Sequence, residues 1–312
     1  MRGDVSGARG SHATVYYLGI TAHESSGNAL FPAWCRRFGV DARLQCVNLP
    51  KDSAPERYHE FMTAVRRDPQ AVGLLVTCHK AALHEHCEDA FETLTSDART
   101  LREVGMGRIV DGRVHGDAHD VPALRAEVRR LLGDERWRDG GREVLIMGAG
   151  GAGLALARTL YCDADDVGRI VVTERSSARR MLCRTLIEEF RPRDGARTIE
   201  LTHGSARDNL AAAATMGRGA LIVNATGLGK DAPGTPLADL SHIPPDAIVW
   251  DFNYRGERTF WRAALARATE RNWRVEDGWS YFTVSWQIVL SRILGLGTSS
   301  RRGPIAAETR RG

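Results

Sequence analysis

Short runs of β-branched and aliphatic residues alternate along this chain with stretches whose apolar residues recur every three or four positions. VYYLGI (15 to 20), LQCVNL (44 to 49) and GLLVT (73 to 77) have the length and composition of strands. Between them, residues 28 to 38 and 55 to 67 carry one apolar face at helical spacing. A segment rich in Gly, Asp and Arg, VDGRVHGDAHD (110 to 120), closes this half, and a helix is predicted over 121 to 133. The alternation then restarts as REVLIMG, a helix over 151 to 161, RIVVTE, a helix over 176 to 190, TIELT and a helix over 205 to 216. ALIVNAT, AIVWDF, a helix over 257 to 271, WRVED and a helix over 281 to 294 complete it. Such alternation predicts an α/β protein with mostly parallel sheets. No repeat of fixed period is present, and the boundary between the halves belongs near the helix and linker of residues 121 to 141.

Composition narrows the class. With 312 residues, 43% hydrophobic and 26% charged, the chain is long enough for two cores. Its longest apolar runs, 143 to 149 and 219 to 226, fall short of the roughly 18 residues that span a bilayer. The N-terminus has no apolar segment behind its charges, so no secretory signal is read there and a cytoplasmic location is expected. Cys35, Cys46, Cys78, Cys87, Cys162 and Cys183 are scattered without a C-x-x-C pair, as for reduced thiols. The net charge of +4 is a small difference between large totals, with much of the excess in the two ends. That argues against nucleic acid or a membrane as partner and leaves a small molecule. Residues 1 to 13 and 298 to 312, rich in Gly, Ser and Arg, predict disordered tails. Lys51, Lys80 and Lys230 are the only lysines among many arginines. Lysine can lose its proton and arginine effectively cannot, so Lys80 and Lys230 are candidates for chemistry.

EVLIMGAGGAGLALARTL sets Gly148, Gly150 and Gly153 in G-x-G-x-x-G spacing directly after a strand and at a helix start. In that context the pattern predicts a Rossmann dinucleotide-binding domain. Gly148 permits the tight turn, Gly150 admits a pyrophosphate, and Gly153 lets the helix pack closely. Gly151 and Ala152 complete the turn at the helix N-terminus, where an anion is favoured. Glu174, about 20 residues on and at the end of the next strand, is placed to accept a ribose 2′-hydroxyl and to repel a 2′-phosphate. Arg175, with Arg179 and Arg180 nearby, could instead hold that phosphate. NAD is favoured and NADP stays open.

From about Val15 to Gly297 the residues resemble the shikimate/quinate dehydrogenase family, with the matching pieces in the family's order. VTCHKAAL (76 to 83) is similar to its VT-I-P-H-K-x-A with one residue missing, and HGDAHD (115 to 120) to its G-x-N-T-D. NATGLGK (224 to 230) is similar to NAT-x-x-GM, DFNYRGERT (251 to 259) to D-x-x-Y-x-x-x-x-T, and DGW (277 to 279) with Gln287 to the closing DG and helical Gln. The resemblance implies two α/β domains. Residues 14 to 125 would be the substrate-binding catalytic domain and 126 to 278 the Rossmann domain, with a C-terminal helix at 279 to 297 returning to the first. It implies hydride transfer between nicotinamide and a secondary alcohol or ketone of a small, cyclic hydroxy acid. Lys80 would be the general acid/base and Asp120 its partner. A lysine of lowered pKa can accept a hydroxyl proton near neutral pH, and Asp120 also suits a helix cap before Val121 and Pro122. Thr77, Tyr254 and Gln287 would meet substrate, while Ser176, Ala225, Thr226 and Gly278 would meet the cofactor.

The departures lie on the substrate side. Where the family reads H-S-x-S-P-x-x-H-N, this chain reads HESSGNALF (23 to 31) and keeps only Ser26 in a matching place. The family's A-V-N-T, whose Asn contacts substrate hydroxyls, is replaced by Gly105, Met106, Gly107 and Arg108; N-T before the catalytic Asp becomes Ala118 and His119. Two hydroxyl-reading amides are missing, and Arg108 and His119 would supply cationic or donor groups instead. A site built to bind hydroxyls discriminates strongly through those bonds, so a changed substrate is expected. Shikimate dehydrogenase proper and a cofactor-binding pseudoenzyme are the alternatives, and a methyltransferase shares the glycine turn but has no need of the preceding half. Cys78, His79, His84, His86 and Cys87 match no metal-site spacing, so no metal is expected. Trp279, Tyr281 and Trp286 read as core or pocket wall, and a homodimer is left open.

Overall fold

The computed structural model describes residues 12 to 133, 143 to 164, 166 to 190 and 197 to 295. Almost all of the two predicted tails and the linker after the 121 to 133 helix lie outside the described residues. The chain divides into two compact units, one running through His119 and resuming at Trp286, the other spanning Asp120–Ser285.

The first unit contains a six-stranded sheet. β1 (Ala13–Gly19) pairs in parallel with β2 (Ala42–Asn48) and with β3 (Ala71–Val76). These strands start two residues earlier than the apolar runs indicate, because polar Thr14 and Arg43 pair in the same ladder. α1 (Ser26–Phe38) and α2 (Pro55–Arg67) bury Phe31 and Trp34, and Tyr58, Phe61, Met62 and Val65. α3 (Lys80–Cys87) follows β3. Beyond β4 (Thr93–Leu94) and α4 (Ser96–Leu101) comes an antiparallel hairpin of β5 (Met106–Val110) and β6 (Arg113–Asp117). Asp111 and Gly112 at its tip have φ of 50° and 74°, the paired positive values of a type I′ turn. The sheet order is β2-β1-β3-β5-β6-β4. It is mixed where a mostly parallel sheet was expected, since β5 runs antiparallel to both neighbours.

The second unit opens with α5 (Asp120–Leu132) and holds a parallel sheet ordered β12-β11-β10-β7-β8-β9. The strands are β7 (Glu143–Met147), β8 (Arg169–Glu174), β9 (Thr198–His203), β10 (Leu221–Asn224), β11 (Ile248–Asp251) and β12 (Arg274–Glu276). The central strands are nearly unbroken apolar runs, as both faces are covered, whereas edge strand β9 alternates. α6 (Gly151–Asp163), α7 (Ser177–Glu188), α8 (Ala206–Ala214) and α9 (Thr259–Arg271) connect them. Leu145, Ile222, Val249, Phe260 and Trp273 belong to one core cluster. Each fully buried aliphatic or aromatic side chain contributes roughly 1.5–3 kcal/mol, so the inner strands dominate this unit's stability.

α10 (Trp279–Ile293) begins in the second unit and continues from Trp286 in the first, where its indole packs against Tyr17 and Trp34. Among the described residues no helix is long and apolar enough to cross a membrane.

Candidate functional site

In the second unit the candidate cofactor residues converge at the carboxyl ends of β7, β8, β10 and β11. The strand order reverses between β7 and β10, the switch point where open α/β sheets leave a crevice. Gly148 turns the chain out of β7 with φ 99°, and its N–H reaches the Thr173 carbonyl at 2.8 Å. A side chain at 148 would fall within 3.0 Å of Thr226 Cα. Gly153 is required for a different reason: a Cβ there would overlap the Gly148 carbonyl, so only glycine lets α6 close on the turn. Gly150, the residue before α6, has open space where its side chain would be. The result is a helix N-terminus, carrying Gly151 and Ala152, with open space at the place of a Gly150 side chain.

Glu174 ends β8 half-buried, and its carboxylate accepts from Ala149 N at 3.1 Å and Ser176 N at 2.9 Å. The acid is thereby held against the glycine turn. Ser176 caps α7 by accepting from Arg179 N. The Arg179 guanidinium donates to Ala149 O at 2.8 Å and that of Arg180 to Glu174 O at 2.7 Å, while Arg175 is exposed. Two of the three arginines at this corner are therefore tied to backbone carbonyls.

Beside the turn, Ala225 N donates to Met147 O, and Thr226 Oγ1 donates to Asn224 Oδ1 at 2.7 Å. A buried polar network that sequence reasoning missed holds this loop. Asp251 Oδ1 accepts from Asn224 Nδ2 and Asn253 N, both at 3.0 Å, and Asn253 Nδ2 donates to Leu228 O at 2.8 Å. Burial pushes the Asp251 carboxyl up to about 6, against the pull of the Asn253 and Trp261 backbone, the Asn224 amide and the Arg258 charge. The matching D-x-x-Y and NAT segments were the available signal, but their pairing is a tertiary fact. Gly278 packs on Phe252, whose carbonyl a Cβ would overlap. The Tyr254 ring stacks on Phe282 with centroids 4.2 Å apart and meets the edge of Trp279. Lys230 pairs with Asp231 at 3.1 Å.

In the first unit the candidates gather at one sheet edge, made by the ends of β1, β3 and β6 and the start of β5. Thr77 follows β3, with its N–H and hydroxyl both on the Leu18 carbonyl. Lys80 is the first residue of α3, half-buried, and its carbonyl accepts from Val104 N at 3.0 Å. Preceding it, His79 is buried and fully engaged. Its Nε2 donates to Leu49 O at 2.9 Å, which leaves Nδ1 to accept from the Tyr58 hydroxyl at 2.9 Å. Burial lowers its pKa, so the ring is neutral and ties the α3 start to the end of β2 and to α2. His119, the last residue of this stretch of the first unit, follows β6 and is buried; Asp120, also buried, opens α5 of the second unit. Ser26 opens α1 behind the cap Ser25. The next residue, Gly27, lies so close to the Trp286 indole that a Cβ would overlap it, which sets Ser26 and Gln287 on either flank of one contact. Arg108 is not brought to this edge. It pairs opposite Gly73, three residues back from the end of β3, and projects exposed toward Gly295.

No family model matches the chain. A curated relative, the shikimate dehydrogenase (NADP+) of Methylobacterium radiotolerans, is 34% identical over 248 residues, 78% of each chain. That of Thermus thermophilus is 27% identical over 284 residues, covering 90% of this chain and 91% of its own. Among solved structures, a shikimate dehydrogenase in complex with NADP+ superposes with a TM-score of 0.71 over 91% of both chains at 18% identity. A quinate dehydrogenase from Corynebacterium glutamicum in complex with NAD gives 0.69 over 91% of this chain and 94% of its own at 19% identity. At such identities the structural likeness speaks for the two-domain α/β fold.

Proposed function

The chain belongs to the shikimate/quinate dehydrogenase family, and we propose that it is a divergent member acting on a small, cyclic hydroxy acid other than shikimate. It is an NAD(P)-dependent oxidoreductase. The observation that carries the finer reading is the composition of the segments around Lys80 and Thr77: Gly107 and Ala118 stand where the family motifs have amides. Hydroxyls that the family's amides would bind find no such partner, which disfavours polyhydroxylated substrates.

The first unit supplies the substrate side and the second the cofactor side. The open space at the place of a Gly150 side chain suits a pyrophosphate at the α6 N-terminus, and Gly148, Gly151, Ala152, Gly153, Ala225, Thr226 and Gly278 would line the dinucleotide. When bound, the nicotinamide supplies the hydride acceptor or donor. Lys80 takes the hydroxyl proton at Nζ during oxidation and returns it during reduction, with Asp120 as the carboxylate partner that orients it. A neutral His79 adds no positive charge next to Lys80. Ser26, His119, Tyr254 and Gln287 orient the reactant.

Among cofactors we favour NAD. Glu174 is held in place by two backbone N–H groups, so it cannot swing aside for a 2′-phosphate without losing them. Exposed Arg175 offers the opposing interaction, and the curated relatives are named as NADP+ enzymes. Steady-state kinetics with both cofactors, over a panel of cyclic hydroxy acids that includes shikimate and quinate, test both parts. The expected result is NAD-preferring turnover with shikimate poor. Efficient shikimate oxidation with NADP would identify an ordinary shikimate dehydrogenase, and dinucleotide binding without turnover of any acid a pseudoenzyme.

A further inference from the structure

The loop after β10 carries a cation to which the dehydrogenase chemistry assigns no part. Lys230, one of only three lysines in the chain, stands on the segment that closes against the glycine turn. A Cβ at Gly148 would fall 2.9 Å from the Ala225 carbonyl carbon, and one at Gly153 would lie 3.3 Å from Ala225 Cβ. From there the chain turns tightly: Lys230 N and Asp231 N both donate to the Gly227 carbonyl, at 3.1 and 2.8 Å, and Gly229 N donates to Ala232 O at 2.7 Å. Asn253 Nδ2 holds Leu228 O, and Arg258 N holds Gly229 O. The loop is fixed at several points. It brings Asp231 back over Gly227, where Oδ2 lies 3.0 Å from the place of a Gly227 Cβ, and the Lys230 ammonium reaches that same oxygen at 3.1 Å. The Lys230 side chain is 24% exposed and that of Asp231 55%, so water screens the carboxylate more than the ammonium.

Position along the sheet decides which part of a dinucleotide this charge meets. Glu174 marks the ribose side at the end of β8, and the pyrophosphate belongs at the α6 N-terminus after β7. A dinucleotide laid across the switch point then continues over β10, so the half that reaches its loop is the nicotinamide. That ring is positively charged when oxidised and neutral when reduced, and a fixed cation on its side distinguishes the two forms. Arg258, the next cation along, turns elsewhere: its guanidinium lies over the Trp261 ring and pairs with Asp277 at 3.2 Å.

We propose that Lys230 sets the redox-state preference of the cofactor site, favouring the neutral reduced nicotinamide over the cationic oxidised one, with Asp231 the positioning residue that fixes and partly offsets the ammonium. The inference rests on the dehydrogenase reading given above and adds the direction in which the site is used. Such a site loads reduced cofactor from a mixed pool and releases the oxidised form readily, which suits reduction of a keto acid to the hydroxy acid. Hydride with its electron pair moves to the carbonyl carbon, a proton moves from Lys80 to the carbonyl oxygen, and the cofactor leaves oxidised.

Binding measurements test this without turnover. Kd for NADH is read from the change in its fluorescence, and Kd for NAD+ from displacement of NADH, in wild type, Lys230→Met, Lys230→Arg and Asp231→Asn. The ratio of Kd for NAD+ to Kd for NADH falls about 3-fold or more in Lys230→Met, rises in Asp231→Asn and stays within about 2-fold of wild type in Lys230→Arg. The Lys230→Met shift also shrinks as NaCl is raised, as a partly exposed charge requires. Equal changes in both constants, or none, in Lys230→Met would overturn the proposal and leave the ion pair a part of the loop's structure only. Wild type that binds neither form would instead remove the dinucleotide reading, and the proposal with it.

Discussion

Replacing Asp251 by Asn removes an ionisation that the fold opposes. The carboxyl lies 1% exposed at the end of β11, and its pKa of about 6 compares with about 3.9 in an unfolded chain. Between those values the unfolded chain releases the proton and the folded one keeps it, so the native state binds more protons and stability falls as pH rises. The contribution is fully present below the unfolded pKa and is lost as pH passes through about 6. Two pKa units correspond to about 3 kcal/mol at 1.36 kcal/mol per unit. An Asn at 251 retains the Oδ1 that accepts from Asn224 and Asn253, so the loop over Leu228 keeps its anchor. Urea unfolding followed by tryptophan fluorescence from pH 3.5 to 7.5 gives the stability difference between Asp251→Asn and wild type. That difference should move by about 3 kcal/mol in favour of the variant across the window. A difference constant within about 0.5 kcal/mol would refute the reasoning and show that the hydrogen bonds to the carboxylate offset its burial.

Three further outcomes follow from the site. Lys80→Ala should lose about 10²- to 10⁴-fold in kcat, and Lys80→Arg nearly as much, because the guanidinium stays protonated; fluorescence titration should show NAD(H) affinity unchanged in both. Glu174→Gln, which removes the charge but keeps an oxygen for Ala149 N or Ser176 N, should shift the NADP to NAD ratio of kcat/KM toward NADP by about 10-fold, and an unmoved ratio would assign the corner to Arg175. Gly153→Ala should destabilise the second unit by about 1–3 kcal/mol, as an overpacked contact does, and weaken dinucleotide binding; denaturant unfolding and titration of the same samples would reveal a tolerated methyl group if neither changes.

Much of the second unit could be read directly from the chain. Its central strands are unbroken apolar runs and its glycine turn follows one of them, so local composition and the packing requirement coincide. RIVVTE is the strand from Arg169 to Glu174 to the residue. The first unit was harder where local signals were weak. VDGRVHGDAHD read as a polar closing segment, yet its Asp111 and Gly112 form the turn of a hairpin whose strands are short and half polar. The D-G pair was the available sign, masked because neither flank alternates strongly in hydrophobicity. Arg108 drew attention as a cation near a motif, but strand parity and register turn it away from the edge that holds Lys80.

By itself the sequence determined the α/β class, the glycine turn and the order of the chemically active segments, because each depends on residues adjacent in the chain. Tertiary structure alone decided which distant residues share a contact. Glu174 is held by the turn it follows by a whole helix and strand, and Asp251 is fastened to Asn224 across neighbouring strands. His119 occupies the volume that Gly105 leaves empty. A glycine in a sequence states only that a side chain is missing. What fills that space is set by strand pairing and close packing, which no local pattern encodes.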